Sequence, residues 1–169
     1  MYLKGLLTLA CLISGLVFGQ AAYSQTKTIV LVRHTEKDTS VANDPDPVLS
    51  PEGRERAVRL LNAVKRFKPY EIFSTNTQRT RQTAEPIGLR RRKQIQIYNA
   101  ANHQELIDKI LASRRRHFLV VGHSNTIPFL ANMLAKKEVF RQMPDTEYGV
   151  IWVIRLKKGQ LKKVELFAY

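Results

Sequence analysis

The chain has 169 residues, about one domain's worth of sequence. Hydrophobic residues at 44% and charged residues at 25% exclude a disordered chain, and a single cysteine, Cys11, excludes an intrachain disulfide framework and a Cys-rich metal site. The 28 Lys and Arg outnumber the 14 Asp and Glu, and the resulting net charge of +14 predicts attraction to phosphates, nucleic acid or acidic lipid headgroups.

Residues 1–24 read as a secretory signal ahead of a single domain over 25–169. Lys4 supplies the positive start, Gly5 to Gly19 carry no charge, and the small residues Ala21, Ala22 and Ser24 offer cleavage sites. An uncharged run of 15 residues is shorter than the roughly 20 that span a bilayer. Export to the periplasm or beyond is therefore expected, with membrane contact only through the transient signal. Leu9-Ala10-Cys11 faintly resembles a lipoprotein box, but the apolar run continues past the cysteine.

Beyond the signal, strands and helices alternate. Thr28 to Val32 is a short β-branched run suited to a strand buried on both faces. Ser50-Pro51-Glu52 is a helix start, followed by Ala57, Leu60, Leu61 and Val64 at helical spacing. Glu71 to Ser74 is the next strand and Gln78 to Ile87 the next helix, which Pro86 should limit or kink. Gln94 to Tyr98 alternates as an edge strand does, and His103 to Arg116 is helical in spacing. His117 to Val121 is a second buried strand, with a helix over Ile127 to Leu134. Val150 to Ile154 and Val164 to Phe167 flank Lys158-Gly159 as a closing hairpin. The order predicts an α/β three-layer sandwich with a mostly parallel sheet. The one longer loop, Lys37 to Leu49, falls where ligands bind in such sheets.

The polar residues at the strand ends carry the chemistry. The first strand ends in Arg33-His34-Thr35 and the fourth in Gly122-His123-Ser124, so parallel strands bring two imidazoles to one crevice. The second strand leads into Gln78-Arg79-Thr80-Arg81, which adds guanidinium groups. Arg forks pair with phosphate oxygens and an imidazole nitrogen can attack phosphorus, so the set suits a dianionic tetrahedral ligand. Two histidines could instead hold a metal, but zinc needs a third protein ligand and neighbouring arginines repel a cation. No metal site is expected.

At these residues the sequence resembles the histidine phosphatase superfamily, which includes the cofactor-dependent phosphoglycerate mutases. The family's Arg-His-Gly motif appears as Arg33-His34-Thr35, and its Leu-Ser/Thr-x-x-Gly stretch as Leu49-Ser50-Pro51-Glu52-Gly53. Ser74-Thr75 through Arg79 to Gln82-Thr83-Ala84, and Gly122-His123-Ser124-Asn125, match two further blocks in the family's order. Thr35 departs from the family's glycine, which implies that a side chain is tolerated there.

The resemblance implies a phosphoglycerate mutase-like fold and a phosphatase in which His34 is phosphorylated while Arg33, Arg79 and His123 hold the phosphoryl group. It implies no metal or organic cofactor. The family usually carries its leaving-group acid after the third strand, where Glu105 is the first carboxyl; Glu36 and Asp46 are loop alternatives, and Glu105 also reads as a first-turn helix carboxylate. The short chain leaves an open site, suited to a phosphorylated small molecule or a phosphoprotein. A phosphomutase, which must shield its phosphoenzyme from water, fits less well. A non-catalytic phosphate-binding module of the same fold is the alternative. The basic runs Arg90-Arg91-Arg92-Lys93 and Arg114-Arg115-Arg116 read as solvated helix ends, and without interleaved aromatics they do not indicate specific nucleic-acid binding.

Overall fold

The computed structural model describes residues 26–169, so the signal read in 1–24 lies outside the described residues. In chain order the elements are β1 (Thr26–Arg33), α1 (Pro51–Val64), β2 (Glu71–Ser74), α2 (Gln78–Arg91), β3 (Ile95–Ile97), α3 (His103–Ala112), β4 (His117–Gly122), α4 (Thr126–Ala135), β5 (Val150–Lys157) and β6 (Gln160–Ala168). They form one six-stranded sheet in the order β3-β2-β4-β1-β5-β6. The first four strands in that order are parallel, and β5 runs antiparallel to both β1 and β6. The expected mostly parallel α/β sandwich with a closing hairpin is the observed fold.

Period-two alternation sends each strand's side chains to two cores. Ile29, Leu31, Phe73, Phe118, Val120, Trp152 and Ile154 pack with Leu106, Ile110, Ile127 and Leu130 of α3 and α4. Val30, Val32, Ile72, Leu119, Val121, Ile151 and Val153 pack with Leu60, Val64, Ala84 and Ile87 of α1 and α2. The sheet thus separates two helical layers, and its central strands read as continuous apolar runs because both faces are covered.

Local signals set most boundaries. Ser50 accepts a hydrogen bond from Gly53 N–H with Pro51 in the first turn of α1. Lys158 and Gly159, at φ 55° and 71°, supply the left-handed pair that a two-residue hairpin requires. Two boundaries differ from the sequence reading. α2 continues through Pro86 to Arg91, because Ile87 and Gly88 beyond the proline are buried against the sheet. α3 stops at Ala112 rather than Arg116: Ser113 turns extended, its hydroxyl donates to Glu71 Oε1, and the Lys27 ammonium donates to the carbonyls of Ser113 and Arg115. Arg114 to Arg116 therefore lie in the loop before β4, not on a helix end.

Candidate active site

β1 and β4 are paired through Arg33 and Gly122, and His34 N–H donates to the Gly122 carbonyl at 2.8 Å. The residue after each strand end is a histidine. Their ring centroids lie 5.4 Å apart in an edge-on arrangement. Gly122 permits this junction: a Cβ there would fall 2.8 Å from both Thr126 Oγ1 and Tyr98 Oη.

His34 is buried, and its Nδ1 lies 2.8 Å from the Thr35 carbonyl. A carbonyl only accepts, so Nδ1 carries the proton and Nε2 keeps its lone pair. Burial, with the charges of His123, Arg33 and Arg79, pushes the imidazole down to about 3 against the opposing Thr35 hydrogen bond. His123 is pushed down to about 4 by burial and by Arg79 and Arg33, partly offset by Asp46. Both rings are neutral at neutral pH. His123 Nε2 lies 2.9 Å from Thr75 Oγ1, a hydrogen bond that fixes the ring's orientation.

Arg33 is buried, and its terminal nitrogens are largely committed. They donate to the carbonyls of Pro144 (2.8 Å), Glu147 (2.7 Å) and Asp145 (3.1 Å), and the guanidinium packs 4.2 Å from the Tyr148 ring centroid. Its Nε is a buried donor without a protein partner. Three of the five Arg33 N–H groups therefore hold the segment after α4 in place, Nη2 also lies 3.7 Å from Asp145 Oδ1, and Nε–H is left for a ligand. Hydrogen bonds from a charged donor contribute about 1.5–3 kcal/mol each, so this anchor is substantial.

Arg79, in the first turn of α2, is half-buried, with Nη1 3.5 Å from Asp46 Oδ1. The same carboxylate accepts from Gln78 N–H, and Gln78 in turn donates to the Asp46 carbonyl. Asp46 thus docks the 37–49 loop onto the helix N-terminus, where a negative charge is favoured. Gln82 Oε1 fastens the end of that loop by accepting from Leu49 N–H.

Thr35 is fully buried; its hydroxyl donates to the Gly53 carbonyl and its N–H to Thr83 Oγ1. A side chain fits at this departure from the family's glycine because the space beside α1 and α2 supplies a partner for it. The glycine α1 does require is Gly53, where a Cβ would lie 2.1 Å from the Glu36 carbonyl oxygen.

His34, His123, Arg33 and Arg79 thus converge, by contact or by charge, at the carboxyl ends of β1, β2 and β4. Glu105 is exposed: its N–H donates to Asn102 Oδ1 and its carboxylate accepts from Asn102 Nδ2, a reciprocal cap on α3. Glu36 is held by Arg56. Burial disfavours its charge, but Arg56's hydrogen bond and charge outweigh it and keep the carboxyl below its ordinary range. Sequence reasoning missed Tyr148, 6.2 Å from the His34 ring, and the carbonyls that hold Arg33. No group of His, Cys, Asp and Glu capable of holding a metal occurs among the described residues.

Paired histidines and arginines at the carboxyl edge of a mostly parallel sheet form a cationic pocket suited to a phosphoryl group. Residues 29–101 match the model of the histidine phosphatase superfamily (branch 1), and the resemblance read from the motifs holds. No curated protein matches the chain in sequence. Among solved structures, the native mycobacterial glucosyl-3-phosphoglycerate phosphatase superposes with a TM-score of 0.66 at 15% identity, covering 86% of this chain and 99% of that one. The protein histidine phosphatase SixA bound to tungstate gives 0.63 at 18% identity, over 83% and 96% of the two chains. A putative phosphohistidine phosphatase SixA from Nakamurella multipartitia gives 0.58 at 20%, over 83% and 96%. At such identities the likeness establishes the fold.

Proposed function

We propose that the chain is an exported phosphatase that hydrolyses phosphate monoesters or phosphoproteins through a phosphohistidine on His34. One observation carries the reading. The His34 Nδ1 proton is engaged by the Thr35 carbonyl, so a neutral Nε2 lone pair is available beside His123 and two arginines. Nε2 attacks phosphorus, the P–N bond forms and the ester P–O bond breaks. Water then attacks phosphorus, the P–N bond breaks, and orthophosphate leaves. Arg79, the free N–H of Arg33 and His123 stabilise the transferring phosphoryl oxygens; positioning and charge are most of what this chemistry needs.

The leaving oxygen takes a proton from a carboxyl, and two are in contention. Glu105 is favoured by its position after β3, whereas Asp46 lies nearer the arginine clamp, 3.5 Å from Arg79, in a setting that favours its charged form. Substrates of the kinds named for the structural neighbours, a phosphorylated sugar acid or a phosphohistidine protein, are the classes to test first. Export rests on the charged, apolar and small-residue order of residues 1–24, and intact-mass analysis of the exported protein should show their removal. The reading itself is tested with a panel of phosphate esters in chelator: orthophosphate release is expected, and a module that binds phosphate without turnover would contradict it.

A further inference from the structure

We propose that the basic cleft around Tyr70, at the end of the sheet opposite the histidines, binds a soluble oligophosphate. β2 and β4 run parallel, with Ser74 and Val121 paired near the catalytic edge and Glu71 and Phe118 paired at the other end. At that far end an open cleft of about 450 Å³ is lined by Lys68, Tyr70, Arg114, Arg115, Arg116 and His117. The two basic runs, distant in sequence, meet there. Lys93 Nζ lies 3.7 Å from the Tyr70 ring centroid and the Arg115 guanidinium carbon 3.8 Å from it. Arg91 Nε donates to the Pro69 carbonyl and ties the end of α2 to the same turn.

Among the described residues, no salt bridge engages Lys68, Lys93, Arg114, Arg115 or Arg116. The nearby carboxylate Glu71 accepts from Ser113 instead. Cations that outnumber the one nearby carboxylate in a concave site focus a positive field and raise the local concentration of anions.

The shape and chemistry select among anions. Two cations so close to one ring centroid cannot share a face, so both faces of Tyr70 are covered and no nucleobase can stack there. A bilayer presents a flat array of headgroups, whereas this site is a cleft. Guanidinium forks that point into a cleft match closely spaced phosphate oxygens. A short phosphate chain satisfies all three conditions. The inference is independent of the phosphatase reading, because it uses no residue of the catalytic pocket.

The test is calorimetric titration of inorganic triphosphate into the full chain at several salt concentrations. Arg114→Glu/Arg115→Glu should weaken this binding at least tenfold and flatten its salt dependence, with far-UV circular dichroism and ester hydrolysis unchanged. Arg115→Ala, a milder change at an exposed site, should give a smaller loss of the same kind. In Arg79→Ala protein the component should persist. Unaltered affinity in Arg114→Glu/Arg115→Glu, or loss only in Arg79→Ala, would overturn the proposal. So would tighter binding of acidic vesicles or a single-stranded oligonucleotide than of triphosphate at matched phosphate concentration.

Discussion

Arg79→Ala separates the charge clamp from the scaffold that carries it. The side chain is 18% exposed and its one ion pair, 3.5 Å to Asp46, joins a carboxylate that is 39% exposed. A pair so open to solvent contributes at most about 1 kcal/mol, so the variant should unfold at nearly the wild-type urea midpoint. Its effect on turnover should be much larger. Loss of one preorganised donor to a developing anion costs about 2.7–4 kcal/mol, or about 100- to 1000-fold in kcat. A second consequence follows from the titration of the histidines. Burial is the first cause of the low values of His34, near 3, and His123, near 4, and Arg79 is a lesser one at both, so its removal lets the rings rise only part of the way. Burial remains in the variant and keeps His34 neutral, so the deficit should stay nearly constant from pH 7 to 5. Arg81 is exposed in the same turn of α2, and Arg81→Ala should change kcat by no more than a few-fold. Steady-state kinetics on nitrophenyl phosphate at pH 5, 6 and 7, with urea unfolding in parallel, measures all of this. Equal losses at Arg79 and Arg81, or a deficit explained by unfolding, would refute the assignment.

The remaining predictions are these. Glu105→Gln and Asp46→Asn distinguish the two proton sources: the true acid's variant should harm alkyl phosphates far more than nitrophenyl phosphate and shift the alkaline limb of the pH–rate profile, whereas uniform small losses at Glu105 would leave it a helix cap. Acid should destabilise the fold. Below about pH 6.5 the unfolded chain protonates histidines that the folded chain keeps neutral down to about 4 and 3, so stability present above 6.5 is lost by roughly 1.4 kcal/mol per pH unit for each ring. Urea midpoints between pH 7 and 4 should show this slope, and a His34→Ala/His123→Ala protein with an equally steep slope would contradict it. Gly53→Ala should destabilise by about 1–3 kcal/mol although alanine favours helix, because its Cβ would meet the Glu36 carbonyl oxygen at 2.1 Å; an unchanged midpoint would show that the loop yields freely.

The parts of the fold legible in the sequence were those written in local periodicity. Buried strands showed as β-branched runs and α1 as a capped amphipathic stretch, while the hairpin turn showed as Lys158-Gly159. The four residues of the candidate site were legible because each sits at a strand end or a helix start, so topology alone brings them to one edge. What was not legible depends on contacts far apart in sequence. α3 ends where Lys27 and Glu71, from two other strands, capture Ser113. The terminal nitrogens of Arg33 are taken up by carbonyls more than 100 residues downstream, in an irregular segment with no periodic signal. The same holds for Tyr148, whose place beside His34 depends on that segment. Tyr70 gave no hint of its role until the parallel pairing of β2 with β3 and β4 brought the two basic runs to its ring.

The central claim is that His34 carries the phosphoryl group, and rapid-quench trapping tests it most directly. Wild-type protein mixed with excess ester and quenched in base within milliseconds should yield one phosphorylated peptide, containing His34, whose label is stable to base and lost in acid. His34→Ala should give no label and no turnover while keeping the wild-type circular dichroism spectrum. Phosphate recovered on another residue, or substantial hydrolysis by His34→Ala, would contradict the account.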